Sequence, residues 1–273
     1  NHNGLYAPKG LTTLSSILFF YRNKNLFLSI EPEAIHLDNF SYNDLPLKKG
    51  AFKYLNDVPL GKYEFNYPSF KNMGIKLKYK NFRLGYGNWN LWWGAGVHNS
   101  LSLTNNSQGF NHFFVSIEEY LPLIDNFKIK YKYLVSEKMV NTIGNNYSIA
   151  FSMMNINIMN LELGVNFTYL IGGYDGYKND SILIFPTNIN NYTLENSRQS
   201  HYYISYNDKS SGLIVFYEFG FPDRFYFTKQ TDLRYENSMG TNIGVRKKGL
   251  FYNSNLIFGL EYTRLVQGIY YNL

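Results

Sequence analysis

The residues of this chain that could do chemistry gather in one stretch. All three tryptophans, Trp89, Trp92 and Trp93, fall between Leu84 and Phe114, together with Asn99, Asn105, Asn106, Gln108 and His112. Flat indole faces pack against the C–H patches of a sugar ring, and side-chain amides and imidazoles hydrogen-bond its hydroxyls and carboxylates. The combination therefore fits carbohydrate recognition. The same residue types also have a structural reading, in which tryptophans anchor in a headgroup region and an Asn-Asn pair shapes a turn. A second set is electrostatic: Lys76, Lys78 and Lys80 recur at alternate positions, and so do Lys128, Lys130 and Lys132. In a strand each triplet lies on one face, where it forms either a track for a polyanion or the wet wall of a pore.

Constellations for catalysis are missing. There is no G-x-S-x-G elbow, and Gly94-Ala95-Gly96 fails as a dinucleotide fingerprint because the sixth position is Asn99 and no βαβ unit surrounds it. The histidines (His2, His36, His98, His112 and His201) lack metal-site spacing. Glu118 and Glu119 are adjacent and point to opposite faces of a strand, so they cannot act as a pair on one bond. Glu31 and Glu33 share a face, but Pro32 between them predicts a strand end or a solvated loop. The expectation is a protein without enzymatic activity, cofactor or metal.

The central stretch resembles the Wzi family of outer-membrane capsule-assembly lectins. The resemblance is carried by Trp92-Trp93-Gly94-Ala95-Gly96, by Ser100-Leu101-Ser102-Leu103-Thr104-Asn105-Asn106-Ser107, and by Gly109-Phe110-Asn111-His112. Ala95 and Asn111 stand where that family usually has proline, Thr104 stands for serine and Ser107 for alanine. Weaker likeness runs through Gly10-Leu11, Glu31-Pro32-Glu33, Tyr217-Glu218-Phe219-Gly220 with Asp223, and Glu261-Tyr262-Thr263. The resemblance implies an outer-membrane β-barrel that holds or helps to assemble capsular or extracellular polysaccharide at the surface of a Gram-negative cell.

The elements that must position these residues are strands. Period-two alternation sets Ile75, Leu77 and Tyr79 against the first lysine triplet, and Phe127, Ile129, Tyr131 and Tyr133 against the second. It recurs in Tyr147 to Met153, in Leu161 to Tyr169 and in Leu256 to Thr263. Small residues such as Ser148, Ala150 and Ser152 are expected on the polar face, turned to a lumen. Leu11 to Tyr21 reads as strand rather than helix, because β-branched and aromatic residues dominate it. Ser100 to Thr104 reads as a short strand running into an amide-rich turn. Lys80-Asn81 looks like a two-residue turn, whereas Asn39 to Lys71 and Gly172 to Ser197 look like long polar loops, and tyrosines recur near strand ends as in interfacial girdles.

Composition agrees. Aromatics are 19% of the chain while mean hydropathy is -0.30, and no run reaches the roughly 18 apolar residues of a membrane helix. A span must then be made of strands. Zero cysteines suit assembly through an oxidising periplasm, and the absence of a signal peptide at Asn1 predicts a mature or trimmed chain. The net charge of +6 points to an acidic partner, although an AT-rich genome also favours Asn, Lys, Tyr, Phe and Ile.

The expected fold is all-β: a single domain over residues 1–273 forming an antiparallel transmembrane β-barrel, with about 12 to 14 strands in this chain. It is either a smaller complete barrel or a piece of a barrel of roughly 18 strands, the size in the resembled family. The expected polysaccharide-binding residues are Trp92, Trp93, Asn99, Asn105, Asn106, Gln108, His112, Lys128, Lys130 and Lys132. Expected partners are capsular or extracellular polysaccharide of acidic type, outer-membrane lipid and lipopolysaccharide, with no nucleic acid. The rival readings are a general porin or solute channel, and an outer-membrane hydrolase.

Overall fold

The structure, a computed structural model, describes residues 12–37, 65–102, 109–124, 127–140, 146–172, 197–222, 240–250 and 253–264. Among these residues fourteen strands form one sheet, and every paired neighbour is antiparallel. They are β1 (Thr12–Ser16), β2 (Phe19–Arg22), β3 (Leu26–Leu37), β4 (Phe65–Tyr79), β5 (Phe82–Gly87), β6 (His112–Ile124), β7 (Phe127–Ser136), β8 (Met139–Val140), β9 (Asn146–Ile158), β10 (Leu161–Gly172), β11 (Ser197–Asp208), β12 (Leu213–Pro222), β13 (Gly240–Leu250) and β14 (Asn253–Arg264). Spatial order follows chain order. β1 and β2 both pair with β3 as two halves of one interrupted strand, and β7 and β8 share β9 in the same way. Such a meander is the wall of an up-and-down barrel.

Connections sort by length to the two ends of the wall. Tight ones lie at residues 23–25, 80–81, 159–160 and 209–212, whereas the long connections leave the described strands at the opposite end, after Leu37, Gly87, Gly172 and Pro222. Lys80 and Met159 take the left-handed conformation, with φ of 54° and 55°, that two-residue hairpins require. The expected turn at Lys80-Asn81 is present, and the strand expected over Leu11 to Tyr21 is β1 with β2.

Alternation divides the wall into two faces. On β4, Met73, Ile75, Leu77 and Tyr79 are exposed on the outer face, while Lys76 and Lys78 turn inward. On the outer face near the long-connection end, Tyr202 stacks on Phe219 and Phe221 at centroid distances of 5.3 and 5.6 Å. Tyr79 and Phe82 stand exposed near the other end. These positions match two interfacial belts.

Three expectations need correction. On β9 the small residues are not inward: Ala150 packs with Tyr133 and Tyr169 on the outer face, and Phe151 and Met153 turn inside to pack with Trp93. An apolar insert makes that part of the interior dry, so the lumen side of β9 is apolar at Phe151 and Met153 and turns polar at Asn155 and Asn157. Glu31 and Glu33 lie within β3, not at a strand end or in a solvated loop. Pro32 is tolerated because it sits beside the interruption between β1 and β2 and beside the register shift between Ser29 and Glu31, where a missing N–H costs no ladder bond. The loop expected to reach Lys71 is shorter, since β4 begins at Phe65.

Candidate functional site

The connection from β5 to β6 does not stay outside. Asn88 leaves the sheet with substitute ladder bonds: its N–H donates to the Met73 carbonyl (3.0 Å), its Nδ2 donates to the Phe70 carbonyl (2.7 Å), and its Oδ1 accepts from the Met73 N–H (2.7 Å). Trp89 then turns into the barrel. A Cβ on Gly74 or Gly87 would lie 2.5 or 2.7 Å from its ring, so these two glycines are the seat of the indole. Its Nε1 donates to Ser29 Oγ (2.9 Å), and Lys76 Nζ lies 4.2 Å from a ring centroid. Trp93 meets Phe151 edge-on at 5.7 Å, and the two join Trp89, Phe114, Leu134 and Met153 in a core inside the barrel.

Beyond Trp93 the segment crosses to the far wall. The Glu261 carboxylate on β14 accepts three consecutive backbone N–H groups, those of Val97 (3.1 Å), His98 (3.1 Å) and Asn99 (2.9 Å). Asn242 on β13 donates to the Asn99 carbonyl (3.0 Å) and to Glu261 (3.1 Å), and Thr263 supports Asn242 Oδ1 (3.1 Å). On β12, Glu218 Oε1 accepts from the Leu101 N–H (3.1 Å). Gly96 is obligatory here, because a Cβ would lie 2.5 Å from Asn242 Nδ2. The segment bends tightly, with Trp92 Nε1 donating to the Gly96 carbonyl (2.8 Å) and the Ser100 hydroxyl to the Trp93 carbonyl. Its return end is tied at the break between β7 and β8, where Glu137 accepts from Asn111 Nδ2 (3.1 Å) and from the Tyr86 hydroxyl. Those bonds, the Tyr86 one above all, hold the Glu137 carboxyl below the usual carboxylate range.

Beneath the crossing lies a cavity of about 430 Å³, lined among others by Trp92, Lys76, Lys130, Lys132, His112 and Glu162. Lys132 Nζ stands 4.8 Å from the Phe114 ring centroid. Glu162 is held by the Tyr203 hydroxyl (2.6 Å) and Asn155 Nδ2 (3.1 Å). His112 is fully buried, and its Nδ1 donates to the Phe110 carbonyl (2.8 Å). A cavity with one half-buried indole, several ammonium groups and amides can stack a ring and bind carboxylates or hydroxyls. Among the described residues no three His, Asp or Glu side chains gather as metal ligands.

The expected site residues fall in different places. Trp92, Trp93, His112, Lys130 and Lys132 all border the cavity, although Trp93 is only 3% exposed and is chiefly packed. Lys128 is exposed, further along the same face of β7. Asn99 engages the far wall through its backbone. Asn105, Asn106 and Gln108 lie outside the described residues. The headgroup-anchor reading of the tryptophans is overturned, since Trp89 and Trp93 are buried on the inner face. Of the strand expected over Ser100 to Thr104, residues 100–102 form a bend instead, because Ser100 and Leu101 are drawn to Trp93 and Glu218, and Leu103 and Thr104 lie outside the described residues. Sequence reasoning missed Glu162, Glu218, Asn242 and Glu261. The signal for Glu218 and Glu261 lay in the two stretches of weaker likeness that contain them.

No protein-family model matches the chain, and no curated protein sequence matches it. Solved structures do. One is Wzi, an outer membrane protein involved in group 1 capsule assembly in Escherichia coli and described as a carbohydrate-binding β-barrel. It is similar at 13% identity and a TM-score of 0.65, over 94% of this chain and 52% of that one. Another is OccK7 (OpdD) of Pseudomonas aeruginosa, at 9% identity and a TM-score of 0.47, over 93% of this chain and 64% of that one. The chain thus spans about half the length of the Wzi structure. Its fold is that of an outer-membrane β-barrel.

Proposed function

We propose that this chain is a non-enzymatic barrel of the Gram-negative outer membrane that binds acidic capsular or extracellular polysaccharide and retains it, or helps to assemble it, at the cell surface. The observation that carries the reading is the cavity beneath the inward segment, whose lining Trp92 shares with Lys76, Lys130 and Lys132. An indole face and ammonium groups are what a uronic-acid unit presents itself to: a ring to stack and a carboxylate to pair. The fold likeness to a carbohydrate-binding barrel supports the same reading. A crossing pinned on both walls argues against an open solute channel. Long connections are extracellular in such barrels, so the crossing enters from the cell surface. Lipopolysaccharide and lipid are then the neighbours of the outer face.

The test is retention of labelled acidic capsular polysaccharide by equal amounts of purified, folded barrel in neutral detergent, where both ends of the barrel are accessible. Trp92→Ala and the double change Lys130→Gln/Lys132→Gln are each expected to lower retention per folded molecule. Equal retention by wild type and both variants would overturn the assignment of this cavity.

A further inference from the structure

The inner face carries its charge unevenly along the barrel axis. Residues directly opposite in antiparallel strands share a face, which places Arg83 on β5 beside Lys78 on β4, and Arg22 on β2 beside the inward Phe27. On β7, Lys128 and Lys130 stand opposite Asn157 and Asn155. On β13, Arg246 and Lys248 follow Asn242 and Gly244 at alternate positions, on the face of the Glu261 contact. All of these cations lie between the crossing segment and the tight turns. The carboxylates Glu31, Glu33, Glu137, Glu218 and Glu261 lie at the level of the crossing or toward the long connections. Toward the tight turns the inward acid with a described side chain is Glu162, already engaged by Tyr203 and Asn155.

We propose that the tight-turn half of the barrel is a cationic vestibule that receives an acidic polysaccharide strand from the periplasmic side and leads it up to the cavity beneath the crossing. The inference rests on the polysaccharide reading above and adds the side of entry and the residues that line it, Arg22, Arg83, Arg246 and Lys248. Two observations carry it. Cations from β2, β4, β5, β7 and β13 converge on one inner surface, and the cavity that contains Lys130 and Lys132 continues the row that begins at Lys128 near the turn. Several like charges on a low-dielectric wall raise the local concentration of a polyanion and weaken as salt is added. The anionic headgroups of the inner leaflet present a competing negative surface at the same end.

The experiment is lysine-acetylation footprinting of the whole barrel in neutral detergent, read by mass spectrometry, with linear oligomannuronate as probe and neutral dextran as control. Oligomannuronate is expected to protect Lys78, Lys128 and Lys248 and to leave Lys138, at the other end, reactive. The triple change Arg83→Gln/Arg246→Gln/Lys248→Gln is expected to weaken oligomannuronate binding by about tenfold at low salt, the sum of three screened charge contacts. Protection of Lys138 instead, with binding intact, would overturn the side of entry and leave the polysaccharide reading standing. Binding of neither polysaccharide anywhere would overturn both. Protection at the turn end by dextran, or by phosphatidylglycerol with none by oligomannuronate, would also overturn the vestibule, as charge-independent contact or a headgroup collar respectively.

Discussion

Replacing Glu261 by alanine removes the acceptor of three consecutive amides, those of Val97, His98 and Asn99, and one partner of Asn242. A hydrogen bond to a charged group contributes about 1.5 to 3 kcal/mol when water is excluded. The three loop residues are exposed and Glu261 is half-buried, so water takes over part of each bond and about 1 kcal/mol per amide is the better figure. The segment would then lose about 3 kcal/mol of docking, which is roughly a hundredfold shift toward the undocked form. Glu261→Gln keeps one neutral acceptor oxygen and falls between. Native-state hydrogen exchange reads this directly: protection at Val97, His98 and Asn99 should drop by about two orders of magnitude in Glu261→Ala. Protection in the β9–β10 hairpin, on the other wall, should stay unchanged. Unchanged exchange at the three loop amides would refute the latch, and loss of protection throughout the barrel would show that Glu261 holds the wall rather than the segment.

Other outcomes follow from the same packing. Gly87→Ala places a methyl 2.7 Å from the Trp89 ring and 2.4 Å from the Met73 carbonyl, so it should cost about 1 to 3 kcal/mol and lower the heat resistance of the barrel on gels. Trp93→Ala, which empties a site packed against Phe151, should destabilise by about 3 to 5 kcal/mol, whereas Trp92→Ala should leave the melting temperature within a few degrees of wild type. In liposomes, a Leu77→Cys thiol should react with a lipid-confined reagent and a Lys78→Cys thiol with a water-soluble one, because Leu77 is exposed on the outer face while Lys78 turns inward. The reverse labelling would invert the two faces of the wall.

Much of the wall was legible in the sequence, since a period of two assigns faces without tertiary knowledge. Lys76, Lys78 and the second lysine triplet read directly, as did Ile75, Leu77 and Leu163, whereas Lys80, expected on the inner face with Lys76 and Lys78, sits in the turn at Lys80-Asn81, which takes it out of the row. β9 was not legible in the same way. Its alternation was clear but its sense was reversed, because the inward segment brings Trp93 and Phe110 against Phe151 and turns a lumen position into a core position. Pro32 misled for a similar reason: whether a proline breaks a strand depends on the neighbour's ladder, which the chain around it does not reveal. The tryptophans were recognised as the centre of the site, but stacking, anchoring and packing all favour the same side chain. Only the glycine seat at Gly74 and Gly87 separates them. The carboxylate partners were invisible because Glu218 and Glu261 meet residues more than a hundred positions away.

The most direct test of the central claim is an equilibrium titration of the purified barrel with defined acidic capsular oligosaccharides, followed by tryptophan emission and calorimetry. One saturable site is predicted, weakened by on the order of 1 kcal/mol or more in Trp92→Ala and weakened further by salt in wild type than in Lys130→Gln/Lys132→Gln. Absence of saturable binding, or isotherms that coincide for wild type and both variants, would contradict it.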